Sequence, residues 1–208
     1  MSGKRKAIFL DKDGTLIENV PFNVDPGQIR LAPSAESALP RLCSAGFRLV
    51  VVSNQPGVAR GLFPEAALAR VYSRIAELLN TIHVVLDGFY YCPHHPAGVV
   101  PPYASPCECR KPRPGLLLRA ASEMNLDLGS SWLIGDILDD VEAGHAAGCR
   151  SILIANGNET EWKISPSRWP DYIATDLASA AEYILGSSRM LPAVDARPTA
   201  SAGYRNAR

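Results

Sequence analysis

At 208 residues with 47% apolar side chains, the chain is long enough to bury a full core, and one domain is expected. Its 21 basic and 21 acidic side chains cancel, which removes the general electrostatic pull that nucleic-acid binding needs. No apolar run approaches the roughly 20 residues of a membrane span, and Met1-Ser2-Gly3-Lys4-Arg5-Lys6 leads into a strand without a secretory apolar stretch, so a cytoplasmic protein with reduced cysteines is expected.

Ala7-Ile8-Phe9-Leu10 reads as a buried first strand, and it runs straight into Asp11-Lys12-Asp13-Gly14-Thr15. Period-two alternation sends both carboxylates the same way, and Gly14 permits a sharp turn behind them, with no Cβ to block an approaching phosphate. One carboxylate can attack phosphorus while its neighbour handles the proton of a leaving group, and both can help hold a divalent cation. The plainer account is an Asp-Gly turn in which both side chains satisfy backbone N–H groups. A helix over Ser34–Ala45, closed by Gly46, comes next. The strand Arg48–Val52 then enters Ser53-Asn54-Gln55-Pro56-Gly57, where the Ser53 hydroxyl and Asn54 amide can donate to phosphoryl oxygens, although an ordinary strand-to-loop cap explains this segment alone more simply.

The helix expected over Pro64–Leu79 has Pro in its first turn and Leu68, Val71, Ile75, Leu78 and Leu79 near helical spacing. The strand Asp87–Tyr91 leads to Cys92-Pro93-His94 and, across a proline-rich loop, to Cys107-Glu108-Cys109. Three thiolates and one imidazole are the closed tetrahedral donor set of structural zinc sites. His95 is the rival imidazole; His94 is preferred because Cys92-x-His94 mirrors Cys107-x-Cys109. Arg110-Lys111-Pro112-Arg113-Pro114-Gly115 then brings positive charge before a helix over Pro114–Met124, and a Lys there can neutralise a transferring phosphoryl group. The strand Trp132–Ile134 enters Gly135-Asp136-Ile137-Leu138-Asp139-Asp140. Asp136 can complete a cation site with Asp11, while Asp139 or Asp140 can cap the helix over Asp139–Ala147 that ends before Gly148. A strand over Ser151–Ile154 and a last helix over Leu177–Leu185 follow. Cys43 and Cys149 are expected as core residues on helical segments. The Pro/Ala/Ser/Arg mixture of 187–208 is read as a disordered tail behind a domain of residues 1–186, with the zinc loop 92–109 inserted in it.

Strands alternating with helices imply an α/β fold, a doubly wound parallel sheet with helices on both faces, whose ligands bind beyond the carboxyl ends of the strands. Asp-x-Asp-Gly-Thr, Ser-Asn, Lys and Gly-Asp-x-x-x-Asp occur here in that order, and the set resembles the four motifs of the haloacid dehalogenase (HAD) phosphatases. The resemblance implies a HAD-type Rossmannoid fold without a large cap. It also implies Asp11 as nucleophile, Asp13 as acid and base, and Ser53 and Lys111 on the phosphoryl group. Catalytic Mg²⁺ would be held by Asp11, the Asp13 carbonyl and Asp136, and structural Zn²⁺ by Cys92, His94, Cys107 and Cys109.

A zinc loop running into Cys-Arg-Lys-Pro-x-Pro-Gly is similar to the branch that holds the heptose bisphosphate phosphatases and the histidinol-phosphate phosphatases. Asn54-Gln55-Pro56-Gly57-Val58-Ala59-Arg60-Gly61 has the heptose form. That branch implies removal of the C7 phosphate of a heptose 1,7-bisphosphate in lipopolysaccharide core precursor synthesis. It further implies substrate contacts from Asn19, Phe22, Asn54, Gln55 and Arg110. The expected partner is a small sugar bisphosphate, with no nucleic acid and no membrane, and the chain is expected as a monomer. Pro56 stands where the branch commonly has Ser, and Ile137 where it often has Lys. Histidinol-phosphate phosphatase is the alternative enzyme, and an inactive zinc-bearing binding module the alternative from another class.

Overall fold

The computed structural model describes residues 3–187. β1 (Ala7–Leu10), β2 (Arg48–Asn54), β3 (Gly88–Cys92), β4 (Trp132–Gly135), β5 (Arg150–Ile154) and β6 (Tyr172–Ala174) form one sheet in the order β3-β2-β1-β4-β5-β6. Every neighbouring pair is parallel, with Ile8 opposite both Leu49 and Trp132. The helices α1 (Ala35–Ser44), α2 (Ala67–Thr81), α3 (Gly115–Met124), α4 (Leu138–Ala147) and α5 (Leu177–Ser187) cover the two faces.

Strand alternation divides the core. Ile8, Leu10, Leu49, Val51, Trp132 and Ile134 pack with Leu39 and Leu42 of α1, Val71 and Ile75 of α2, and Ala180 and Ile184 of α5. Ala7, Phe9, Val50, Val52 and Leu133 point the other way, onto Leu116, Leu117 and Ala120 of α3 and Ala143 and Ala147 of α4. Both faces of the central strands are thereby buried, which is why β1 and β2 read as continuous apolar runs rather than alternating ones. The chain winds from β1 through β2 to β3, then returns to the other side of β1 for β4, β5 and β6. That reversal beside β1 opens a crevice at the carboxyl ends of β2, β1 and β4, the segments that carry Ser53, Asp11 and Asp136.

Five expected strands are present, β1 with the expected ends and the other four with ends shifted by one or two residues. β6 was not expected: three residues at the sheet edge behind Pro170-Asp171 carry too short a pattern to register. α2 begins at Ala67 rather than Pro64 because its first turn is closed by tighter bonds, Ala67 to Pro64 and Leu68 to Glu65. Gly46 and Gly148 both take left-handed φ, +87° and +88°, as expected past α1 and α4. Cys149 is buried but lies between α4 and β5 rather than on a helix, and Cys43 is half-buried. Ser187 closes α5 instead of opening the tail; the remainder of the tail expected over 187–208 lies outside the described residues. No loop above the strand ends carries a second sheet among the described residues. Nor is any described helix long and apolar enough to cross a membrane.

Candidate active site

The backbone of β1 hands the first carboxylate to its neighbour: the Asp11 N–H donates to the Ile134 carbonyl at 2.9 Å, one step beyond the strand. Alternation persists past that point. Lys12 turns inward and is 1% exposed, while Asp11 and Asp13 face the crevice. The Lys12 ammonium curls back to Asp13 Oδ1 at 2.6 Å. Gly14 turns with φ +81°, but the space beside its Cα is not kept for a phosphate. A Cβ there would lie 2.1 Å from Asp136 Oδ2 and 2.4 Å from Asn158 Nδ2, so the glycine admits protein groups from two other strand ends.

Lys111 is the hub. Its side chain is 2% exposed, with Nζ 2.5 Å from Asp11 Oδ1 and 2.9 Å from the Val52 carbonyl. Asp140 Oδ1 lies 2.6 Å away as an ion pair, off the hydrogen-bond direction. Burial alone would lower the ammonium's pKa; the Asp11 and Asp140 carboxylates outweigh it and hold Lys111 protonated. Asp140 is fully buried, and its Oδ2 also accepts from the Ile137 N–H at the start of α4. It therefore caps the helix, as expected for Asp139 or Asp140, and also completes the charge cluster. Asp139 instead pairs with Arg168 at 2.6 Å.

Asp11, Asp136 and Asp140 offer oxygens within 4.8 Å of one another. Burial, reinforced by Asp11 and Asp140, pushes Asp136 up to about 7. Burial likewise pushes Asp140 up to about 6, with Lys111 opposing and Asp11 adding. One ammonium does not balance this set, and a divalent cation fits its charge and its all-oxygen donors. Asp13 is raised as well, by burial first, with Lys12 opposing and Asp11 adding, and 30% of its side chain stays exposed. A raised carboxyl open to the crevice suits proton transfer.

The Ser53-Asn54-Gln55 segment divides its work differently from expectation. Ser53 is 1% exposed, and its Oγ accepts from Gln55 Nε2 at 2.8 Å, which aims the hydroxyl proton elsewhere. Gln55 Nε2 also donates to Asp13 Oδ2 at 3.2 Å, so this buried amide orients the site's own groups. Asn54 is occupied too. Its Nδ2 donates to the Lys111 carbonyl at 3.1 Å and its Oδ1 accepts from the Lys111 N–H at 3.0 Å. An amide presents the same donor–acceptor pair as a peptide, so Asn54 clamps the Lys111 backbone.

The Cys/His cluster stands beside this crevice. Cys92 Sγ lies 3.0 Å from Cys109 Sγ and 3.4 Å from Cys107 Sγ, and His94 Nδ1 is 3.4 Å from Cys109 Sγ. These donors suit zinc. His95 points away; its Nδ1 accepts from the Ala97 N–H, and its Nε2 lies 3.4 Å from the Arg60 guanidinium. The loop is pinned over residues 56–61 by Val99 and Val100 N–H groups on the Ala59 carbonyl, and to Glu65 by the Tyr103 hydroxyl.

The rim holds the remaining expected residues. Phe22 is 45% exposed with a positive φ of 55°, its ring 5.5 Å from the Arg60 guanidinium carbon. Arg110 has a buried Nη1 with no hydrogen-bond partner. Asn19 Nδ2 reaches Asn158 Oδ1 at 3.2 Å. Asn158 and its neighbours went unnoticed in the sequence: Asn156 donates to the Gly14 carbonyl at 2.6 Å, Asn158 to Asp136 at 2.7 Å, and Glu159 accepts from the Leu138 N–H at 2.6 Å. They follow β5, and the strand-end rule that picked out Asp11, Ser53 and Asp136 would have found them there.

The chain is similar to known proteins. The HAD-hydrolase-like family model matches residues 108–180. The D-glycero-β-D-manno-heptose-1,7-bisphosphate 7-phosphatase of Escherichia coli strain K12 is 37% identical over 193 residues, spanning 89% of this chain and 91% of its own. That of Yersinia pestis is 36% identical over 199 residues, 92% of this chain and 96% of its own. The crystal structure of D,D-heptose 1,7-bisphosphate phosphatase from B. bronchiseptica, complexed with magnesium and phosphate, superposes with a TM-score of 0.72 at 30% identity, covering 88% of this chain and 99% of that one. With likeness along nearly its whole length and carboxylates, Ser and Lys gathered at adjoining strand ends, the chain belongs to the D-glycero-β-D-manno-heptose-1,7-bisphosphate 7-phosphatase family of HAD-type phosphoric monoester hydrolases.

Proposed function

We propose that this protein removes the C7 phosphate of D-glycero-β-D-manno-heptose 1,7-bisphosphate and leaves the C1 phosphate in place. The observation that carries the chemistry is the buried Lys111, bonded to Asp11 while Asp13 waits across the crevice on Gln55. Lys111 holds Asp11 Oδ1 and leaves Oδ2 to attack phosphorus. As the new Asp11 O–P bond forms, the ester P–O bond breaks, and Asp13 gives its proton to the departing sugar oxygen. Asp13 then takes a proton from a water whose oxygen attacks the aspartyl-phosphate; inorganic phosphate leaves and Asp11 is restored. Ser53, oriented by Gln55, donates its hydroxyl proton to a phosphoryl oxygen, and Lys111 offsets the charge there.

Asp11, Asp136 and the Asp13 carbonyl would hold Mg²⁺, which when bound supplies further positive charge for the phosphoryl oxygens. Cys92, His94, Cys107 and Cys109 would hold Zn²⁺ as a structural staple, and Arg110 and Lys111 follow directly on its last ligand. Arg110, with a buried and unpaired Nη1, reads the retained phosphate, and its planar fork suits two oxygens at once. Asn19 and Phe22 line the sugar. With Ile137 in place of Lys, Arg110 carries more of that recognition.

Phosphorus NMR on the reaction with the β-bisphosphate tests the assignment: inorganic phosphate should appear while the anomeric C1 phosphate resonance persists. Faster turnover of histidinol phosphate, or loss of the C1 phosphate first, would overturn it.

A further inference from the structure

We propose that Asn158 is a positioning residue that locks the Asp136 carboxylate in one orientation and links it to the sugar-facing loop through Asn19. The inference rests on Asp136 being a cation ligand, as proposed above. Asn158 Nδ2 donates to Asp136 Oδ2 at 2.7 Å, and its Oδ1 accepts from Asn19 Nδ2 at 3.2 Å. Its own N–H donates to Asn156 Oδ1 at 3.2 Å, while Asn156 Nδ2 donates to the Gly14 carbonyl at 2.6 Å. One side chain thereby joins the loops that leave β1, β4 and β5.

A carboxylate with one oxygen held cannot spin about its last bond, so the other oxygen keeps a fixed direction. Hydrogen-bond partners of this kind orient metal ligands, and losing one weakens metal binding by about 10- to 100-fold. The donor is a neutral amide, so it steers Asp136 without cancelling the charge a cation needs; a Lys in that place would compete with the metal. Gly14 is built around the pair, since a Cβ there would collide with both Asp136 Oδ2 and Asn158 Nδ2. Asn19 extends the link toward the sugar, so cation affinity and substrate affinity should move together.

Calorimetric titration of Mg²⁺ into magnesium-free, zinc-loaded protein tests this without turnover. Asn158→Ala should raise the Mg²⁺ Kd by about 10-fold or more, with the thermal midpoint in the absence of Mg²⁺ near that of the parent. In kinetics, KM for the sugar bisphosphate should rise, and kcat should recover at saturating Mg²⁺. Asn156→Ala removes the strap to Gly14 but no bond to Asp136, and should shift the Mg²⁺ Kd much less. Equal weakening by both variants would make loop order the cause and overturn the proposal, as would a change below about threefold in Asn158→Ala. Asp136→Ala separates the two levels. If it abolishes Mg²⁺ binding while Asn158→Ala shifts the Kd by less than about threefold, only the positioning role fails; if it leaves Mg²⁺ binding intact, the ligand assignment itself fails.

Discussion

Two clusters of ionisable groups sit side by side in this molecule, and they are held together by opposite means. Asp11 and Asp136 stand at the ends of strands buried on both faces, and Lys111 and Asp140 are buried beside them, so the fold positions the cluster before any ligand arrives. Cys92 ends β3, but His94, Cys107 and Cys109 stand on a loop rich in proline, which has little apolar surface of its own to bury. Rigid placement at the strand ends concentrates like charges, with the Asp136 and Asp140 carboxyls pushed up toward neutrality. The loop is tied to Ala59 and Glu65 by hydrogen bonds, and a zinc ion on its donors would fix its geometry further. One cluster is a site that the fold makes, the other a loop that a bound ion would shape.

The most severe way to break the first cluster is Asp11→Asn. An amide cannot form the aspartyl-phosphate, so turnover should fall by at least about 10⁴-fold while the thermal midpoint stays close to the parent's. Near-parental phosphate release with Mg²⁺ present would sink the mechanism. Lys111→Met should depress kcat for every substrate alike. It should also destabilise the protein by about 3–5 kcal/mol, because Asp140 is left buried without its cation. Denaturant titration reads that loss, and an unchanged midpoint would mean Asp140 is not charged in the parent.

The loop cluster should fail differently. Cys107→Ala should lower zinc from about one ion per chain and expose residues 93–106 to protease. Activity should fall by about 10-fold as Arg110 and Lys111 lose their anchor, yet the sheet should persist by circular dichroism. Freshly purified protein without zinc by elemental analysis would remove the contrast altogether. Arg110 lies where the two clusters meet. Arg110→Ala should cut kcat/KM for the sugar bisphosphate by about 10- to 100-fold, the worth of a charge-assisted contact of roughly 1.5–3 kcal/mol. A small monoester, with no second phosphate to hold, should be affected severalfold less. Equal losses would make Arg110 a brace for the zinc loop.

The smallest effect is electrostatic. Asp136 has a folded pKa of about 7 against an ordinary 3.8, so between those values the folded state binds more protons than the unfolded one. Magnesium-free protein should therefore lose stability as pH rises through that window, and Mg²⁺ should restore it at the upper end. Thermal melts at several pH values check the sign; stability rising with pH would show that the carboxylate cluster is not strained.

Much of this was legible in the chain. Asp11, Ser53 and Asp136 each follow an apolar run, and a parallel sheet sends such ends to one side of the molecule. His94 was separable from His95 by spacing alone, and it is the imidazole that meets the thiols. What Asn54 and Gln55 hold within the protein was not legible, because a polar residue at a strand end looks the same whether it serves a ligand or its neighbours. Their hydrogen bonds go to Lys111, Ser53 and Asp13, partners reached only across the fold. Asp140 was read only as a candidate helix cap for a related reason: the Lys111 it pairs with lies on another loop.

Local chemistry, then, was determined by the sequence itself: where strands end, which residue types can attack phosphorus or hold zinc, and which segments are apolar enough to be buried. Such properties depend on residues a few positions apart. Tertiary structure alone decided how those groups share one another's charge. Lys111 reaches Asp11, and Asn158 reaches Asp136 past Gly14, only because β1, β2, β4 and β5 lie in an order different from their order in the chain. Coulombic and hydrogen-bond energies fall off with distance through space, and separation along the chain does not enter them.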